Sequence, residues 1–179
     1  MKRNPSAFLA IVGLMLLATA PMAWAANPAT ISVTVTIQNL SVSATGPIAF
    51  GTVTTSSQTV SGAASTVTND GNVTETFSLS LTNPGSWTAV QAAPSAAEEY
   101  ALLAQFNSSA PTSGSFTYAN HALSTTSVAS SGTKFAGDQT GLSVAAAATR
   151  GLWFRFDAPT STAVTSQQTI TVTVTAAAG

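Results

Sequence analysis

The stretch STVTNDGNVTETFSLSLTN, residues 65–83, decides the fold class. Its apolar residues between Val73 and Leu81 all occupy odd positions, and threonines and serines occupy the even ones. A period of two is typical of a strand with one buried face and one solvated face. Asp70-Gly71 is a two-residue turn signal. We therefore expect a β-hairpin here.

The same alternation recurs toward both ends of the chain. Near the start, one side of residues 31–37 is formed by Ile31, Val33, Val35 and Ile37, with hydroxyl residues on the other side. Near the end, GLWFRFDAP (151–159) and QTITVTVTA (168–176) predict two further strands. Residues 98–106 fit a strand or a short helix, and we favour the strand.

The middle of the chain contains a Ser/Gly/Thr-rich excursion at residues 107–140. Within it, SFTYANHAL (115–123) resembles a strand. Connections of this length in compact domains tend to be functional or mobile.

The first 25 residues have the pattern of a cleavable signal peptide. Lys2 and Arg3 precede an apolar run, and Ala23-Trp24-Ala25 is a small-x-small cleavage site. The apolar run is too short to span a bilayer, and no later run is long enough. We expect residues 1–25 to be removed and residues 26–179 to form one domain, secreted or at the cell surface, or held in a periplasm.

Charge and cysteine content exclude several classes of protein. Without the signal peptide, three basic residues stand against six acidic ones, a net charge of about −3. Such a chain lacks the basic stripe that nucleic-acid binding needs. The sequence contains no cysteine, so stability must come from burial and backbone hydrogen bonds rather than disulfides.

Two segments carry a family resemblance. The stretches IAFGTVTTSSQTVSGAASTVTNDGNVTETFSLSL (48–81) and ATRGLWFRFDAPTSTAVTSQQTITVTVTA (148–176) resemble immunoglobulin-like domains of the ASPM-SPD-2-Hydin or major-sperm-protein type. The resemblance implies an all-β fold, a single antiparallel Ig-like β-sandwich. Here Thr54-Thr55-Ser56 replaces a glycine usual in that pattern, and the excursion 107–140 is additional. The leading segment is also similar to strand-exchanging coat and pilin-type domains, without their cysteine pair.

Catalytic and metal-binding patterns are scarce. His121 is the only histidine in the sequence, so a histidine cluster cannot form, and the strained GxSxG turn of a serine hydrolase is missing. Asp70-Gly71-Asn72 lacks the repeated acidic ligands of a calcium loop. We expect no enzyme activity, no cofactor and no metal.

Aromatic residues allow a binding hypothesis. Trp153, Arg155 and Tyr118 could form a platform for a polysaccharide, because flat rings with polar edges suit stacking on sugars. The alternative is structural, with Trp153 packing over the aliphatic part of Arg155 on one strand face.

The terminal segment gives the main functional hypothesis. Residues 31–37 contain no charge or proline, although exposed edge strands are normally protected by such residues. At Gln38-Asn39 the apolar positions shift from odd to even, which indicates a bulge or kink. One possibility is that residues 31–37 pair with the closing strand of their own sandwich. The other is that they add to a neighbour's sheet.

We therefore expect a non-catalytic secreted structural protein, a subunit of a fibre, coat or surface layer. Its assembly strand would consist of Ile31, Val33, Val35 and Ile37, and its partner would be another copy or another surface protein. The alternative is a secreted glycan- or surface-binding Ig-like module that uses Trp153, Arg155 and Tyr118.

Overall fold

A computed structural model describes residues 28–179. The chain divides into two units, Met1–Thr36 and Ile37–Gly179. The expected signal peptide, residues 1–25, and the expected mature start at Ala26 lie outside the described residues. Residues 28–36 belong to no helix or strand. No helix among residues 28–179 combines the length and hydropathy needed to cross a bilayer.

The unit Ile37–Gly179 is built from short strands. In the described residues these are β1 (Val42–Ala44), β2 (Gln58–Val60), β3 (Ser65–Asn69), β4 (Glu75–Thr82), β5 (Thr88–Ala89), β6 (Glu99–Phe106), β7 (Val128–Ala129), β8 (Thr149–Asp157) and β9 (Thr171–Ala178). A 3-10 helix (Ser113–Ser115) and the helix α1 (Tyr118–His121) lie between β6 and β7.

The strands form two sheets, which confirms the all-β prediction. The larger sheet has the order β1-β3-β8-β6-β5, with β2 also paired to β8, and the smaller has the order β7-β4-β9. This is a sandwich-like fold, compatible with an Ig-like domain. One pairing departs from the antiparallel prediction, because β5 and β6 are parallel. The loop at 90–98 carries the chain back to the end at which β5 began.

The core lies between the two sheets. Phe77 and Leu79 on β4 are fully buried, and Leu152 and Phe154 on β8 belong to the same apolar cluster. Burial of each such side chain contributes about 1.5–3 kcal/mol. The alternation predicted for β4 and β8 therefore identifies the core face of each strand correctly.

The predicted hairpin at Asp70-Gly71 is wrong. The strand β3 belongs to the larger sheet and β4 to the smaller one, so the turn carries the chain between the sheets. The buried side chain of Asn69 enforces this crossing. Its amide nitrogen donates to the carbonyls of Val73 at 2.8 Å and Val144 at 2.9 Å, and its oxygen accepts from the Gly71 N–H at 2.9 Å. A turn dipeptide fixes a reversal, but it does not fix which sheet the next strand joins.

The excursion 107–140 is part of the sandwich. The strand-like core expected at 115–123 is wrong, because this stretch ends the 3-10 helix and forms α1. Phe116 and His121 are both buried, and their ring centroids lie 6.0 Å apart. A turn of helix permits this contact, whereas residues five apart in a strand are separated by roughly 17 Å. Farther on, the excursion closes one edge of the smaller sheet. Leu81 N–H donates to Ser124 at 2.9 Å, and Ser130 N–H donates to Phe77 at 2.8 Å.

The strand expected at 98–106 is confirmed as β6, and the last predicted strand is β9. The strand β9 pairs with β4 along its whole length. Residues 31–37 belong to no strand in the structure, so whether they pair with the closing strand of their own chain or with a neighbour stays an open alternative. Within the described part of the chain, no strand pairs with the other edge of β9.

Candidate functional site

The terminal segment, residues 31–37, presents its apolar side chains to solvent. Ile31 is 88% exposed, Val33 86%, Val35 85% and Ile37 79%. The half-buried strand predicted for this segment is not formed in the single chain. Exposed apolar side chains are unfavourable in water, since each would gain about 1.5–3 kcal/mol on burial. The segment has the composition of a strand that lacks a partner.

The chain becomes fixed at the end of this segment by the side chain of Asn72. Its Nδ2 donates to the carbonyl of Ile37 at 2.8 Å, and its Oδ1 accepts from the N–H of Asn39 at 2.8 Å. The backbone N–H of Asn72 also donates to the carbonyl of Asn39 at 3.1 Å. We call these three residues the Asn72 clamp. The side-chain amide thus supplies hydrogen-bond partners to the C=O of Ile37 and the N–H of Asn39, as the backbone of a neighbouring strand would.

Two residues further on, a buried carboxylate continues this anchoring. The N–H of Ser41 donates to Oε1 of Glu75 at 2.8 Å, and Glu75 is fully buried. Gly71 lies against the same place, where an added Cβ would come within 2.5 Å of the carbonyl oxygen of Asn39. Glycine is needed at 71 because any side chain would push the clamped segment away.

An open slot lies in the unit Ile37–Gly179, between the larger sheet and β9. Its volume is about 1060 Å³. It is lined by Leu152 and Phe154 of β8, by Val172 and Val174 of β9, and by residues 46–53. The valines of β9 face the core but are only half-buried, whereas the core residues of the neighbouring strand β4 are buried. The sandwich is therefore unfinished along β9.

The borders of the slot have free backbone groups. The edge of β9 that faces away from β4 has no paired strand among the described residues. Residues 46–53 form no backbone hydrogen bond with any other described residue. Within this stretch Ile48 and Phe50 pack against the core while Ala49 between them is exposed. Unpaired backbone beside an apolar surface is the environment that an additional strand completes.

The three residues predicted to bind a ligand lie together on β8 and α1. The guanidinium of Arg155 makes two bonds to the carboxylate of Asp157, at 2.8 and 2.9 Å, and both residues are buried. The hydroxyl of Tyr118 donates to the same carboxylate at 2.6 Å, and Arg155 lies 5.3 Å from the centre of the Tyr118 ring. Burial raises the pKa of Tyr118, and so do the hydrogen bond that its hydroxyl donates to Asp157 and the negative charge of that carboxylate. Trp153 is half-buried and donates from Nε1 to the carbonyl of Asn107 at 3.1 Å.

These contacts use the polar groups of the cluster internally. Arg155 also donates to the carbonyls of Ser113 at 2.8 Å and Phe116 at 3.0 Å. A cavity of about 130 Å³ borders Tyr118 and Asp157, which is smaller than the pockets that hold drug-sized ligands, roughly 300–1,000 Å³. The cluster fastens the excursion to the outer face of β8, a role that the sequence pattern did not reveal.

His121 is held by backbone groups. Its Nδ1 accepts from the N–H of Thr117 at 2.8 Å, and its Nε2 lies 3.1 Å from the carbonyl of Ala136. Since a carbonyl can only accept, Nε2 carries the proton and Nδ1 does not. Burial lowers the pKa of His121. Among residues 28–179, no group of three His, Cys, Asp or Glu side chains could hold a metal ion.

Because His121 is buried and uncharged, we predict a specific pH dependence of the free energy of unfolding. The folded pKa of the histidine lies below the ordinary value of 6.5, so the unfolded chain binds this proton first as the pH falls. The free energy of unfolding should therefore be independent of this group above about pH 7.5 and should decrease below about pH 6.5. Urea unfolding between pH 8 and 5 measures this.

His121→Gln is the matched control for that measurement. Glutamine can accept from Thr117 and donate to Ala136, but it does not titrate. We expect the variant to lose the part of the pH dependence that lies between the folded pKa and pH 6.5. Equal slopes for wild type and variant in this range would contradict the assignment.

The described geometry defines a class of protein. Comparisons with protein-family models, with curated proteins and with solved structures gave no match. The class is an all-β protein with two sheets, one of which has an open edge beside an apolar slot. The same chain presents an uncovered segment of strand-like composition.

Sequence reasoning found the terminal segment but missed the slot and the clamp. The alternation of Ile48 and Phe50 around Ala49 was a usable signal for an unpaired strand-like border. The clamp had no such signal, because Asn72 reads as an ordinary turn residue until the fold brings Ile37 and Asn39 beside it.

Proposed function

We propose that this chain is a non-catalytic structural protein of the cell exterior, a subunit of a fibre, coat or surface layer. Residues 31–37 would pair with the sheet of another chain. The exposure of all four apolar side chains in this segment supports the proposal. The Asn72 clamp holds the chain at Ile37 and Asn39, so the segment has a fixed base on a folded domain.

We also propose that the domain is of an Ig-like type and that the chain is exported. Residues 48–81 and 148–176 resemble Ig-like domains of the ASPM-SPD-2-Hydin or major-sperm-protein type, and the two-sheet architecture is compatible with them. Export rests on the pattern of residues 1–25.

Pairing through a terminal segment favours an open polymer. The segment and the sheet that it joins are different surfaces of the same chain, so each added subunit leaves one of each free. Such head-to-tail contacts produce filaments unless the rotation between subunits closes a ring. Main-chain hydrogen bonds would supply affinity, and the alternating apolar side chains would fix the register.

Deletion of the segment tests the proposal. Residues 26–179 should form filaments or large assemblies, and residues 39–179 should remain monomeric. The shorter chain keeps Asn39 and Ser41, and with them the bonds to Asn72 and Glu75, so its domain should stay folded. Size-exclusion chromatography and electron microscopy compare the two, with circular dichroism to confirm folding. Monomers from both chains would end the proposal.

A further inference from the structure

We propose that the slot beside β9 is the receiving site, and that its occupant is the segment 31–37 of a second copy of this chain. This inference rests on the proposed function and names the acceptor that the proposed function leaves open. The occupant would lie as an additional strand beside β9, with its apolar side chains toward β8 and its hydroxyl side chains toward solvent.

The backbone around the slot requires an extended peptide. The outer edge of β9 and residues 46–53 both offer unpaired N–H and C=O groups. A strand between such groups satisfies them, whereas a compact small molecule cannot follow a row of them. On β9 the repeat of half-buried Val172 and Val174 around exposed Thr173 sets a period of two. An occupant must therefore present apolar side chains at alternate positions.

Segment 31–37 satisfies this requirement in pattern, length and charge. Its apolar side chains alternate, and its seven residues span about 23 Å as a strand, close to the roughly 26 Å of the eight-residue β9. None of the side chains that line the slot is charged, and residues 28–40 contain no charge. A charged peptide would lose its hydration there without gaining a partner.

The occupant comes from a second copy because the single chain leaves both parts unfilled. Among the described residues, those that line the slot begin at Ala44, and Ile31, Val33 and Val35 remain more than 80% exposed. The Asn72 clamp holds the chain at Ile37 and Asn39. The segment is thus tethered at one end and available to a neighbour.

Slot variants of the full mature chain test this directly. Val174→Arg places a charge in the slot, and Thr173→Arg places the same charge on the solvent face of β9. We expect Val174→Arg to raise the concentration needed for assembly at least 100-fold, and Thr173→Arg to change it less than threefold. Sedimentation velocity measures both, and urea unfolding checks that both are folded.

A second pair avoids the strand, in case Val174→Arg does not fold. Ile48→Arg and Ala49→Arg are neighbours outside any strand, and Ile48 packs against the core while Ala49 is exposed. The same difference of at least 100-fold is expected between them. Equal assembly by the folded members of a pair would overturn the slot as the acceptor.

Mixing complementary variants separates the two proposals. A donor-defective chain (Val33→Arg with Val35→Arg) keeps its slot, and the slot-defective Val174→Arg chain keeps its donor segment. Each should be monomeric alone, and together they should form a 1:1 dimer that does not grow. If wild type assembles and Val174→Arg assembles equally, the slot is refuted while the proposed function stands. If wild type stays monomeric at every concentration, the proposed function fails. In that case, protection of residues 31–37 from hydrogen exchange would identify insertion into the segment's own slot, which also overturns the inference.

Discussion

Replacement of Val33 and Val35 by arginine is expected to abolish assembly of the mature chain. Each valine would gain about 1.5–3 kcal/mol on burial, so loss of both removes about 3–6 kcal/mol from each subunit contact. This lowers the equilibrium constant for subunit addition by about 10²–10⁴-fold. In addition, the segment could join a neighbouring sheet only by burying the two guanidinium groups, which is unfavourable. Sedimentation velocity and electron microscopy should show monomers at concentrations at which wild type forms filaments.

The control is the same charge at the intervening positions. Thr34→Arg with Thr36→Arg adds two arginines to the same segment, but on the side that would face solvent. This variant should still assemble, with at most a small change in the concentration required. Equal loss of assembly by both pairs would mean that charge alone, rather than the alternating burial of apolar side chains, controls association.

Arg155→Met is expected to destabilise the domain strongly. It removes a guanidinium that makes two bonds to the buried carboxylate of Asp157 and two more to carbonyls of the excursion. Loss of one partner from a buried ion pair typically costs about 3–5 kcal/mol, because the other charge is left uncompensated. Urea unfolding measures the loss, and hydrogen exchange should show weaker protection of residues 113–121.

Arg150→Met provides the comparison on the same strand. Arg150 is half-buried and its Nε donates to the carbonyl of Thr140 at 3.0 Å, without an ion pair, so its removal should cost about 1 kcal/mol. The double variant Arg155→Met with Asp157→Leu should recover part of the stability lost in Arg155→Met, since no charge then remains buried. A cost for Arg155→Met no larger than that for Arg150→Met would contradict the structural role of the pair.

Several parts of the fold could be predicted because their signals are local. The odd-position apolar residues of β4 and the even-position apolar residues of β8 face the core as expected. The strand at 98–106 was chosen correctly over a helix, because Tyr100, Leu102 and Phe106 share one face of β6. In each case the spacing of apolar residues along the strand is the signal, and the sheet simply buries that face.

Other parts could not be predicted because they depend on distant residues. The turn at Asp70-Gly71 crosses between sheets because Asn69 binds Val144, which lies 75 positions later in the chain. The short helix α1 replaces a predicted strand because Phe116 packs against Ala101 and Leu103 of β6, while His121 is hydrogen-bonded to the carbonyl of Ala136. Neither neighbour can be identified from the local pattern.

The candidate site likewise has parts that could be predicted from the local sequence and parts that could not. Residues 31–37 were identified from the sequence, since an uninterrupted alternation without charge is visible locally. Trp153, Arg155 and Tyr118 lie together in the structure, where the guanidinium of Arg155 binds Asp157 rather than facing solvent, and ligand binding by these residues stays a prediction. The Asn72 clamp and the slot arise from pairs of segments that are far apart in the chain.

The sequence by itself determined that the chain is all-β, which strand faces are apolar, and that residues 31–37 contain no protecting charge. These properties follow from side-chain chemistry at a spacing of two residues. The tertiary structure alone decided how the strands are divided between the sheets and which edge stays open. The excursion covers the edge of β4 on one side and leaves β9 free on the other, because hydrogen-bond partners are settled by the packing of the whole chain.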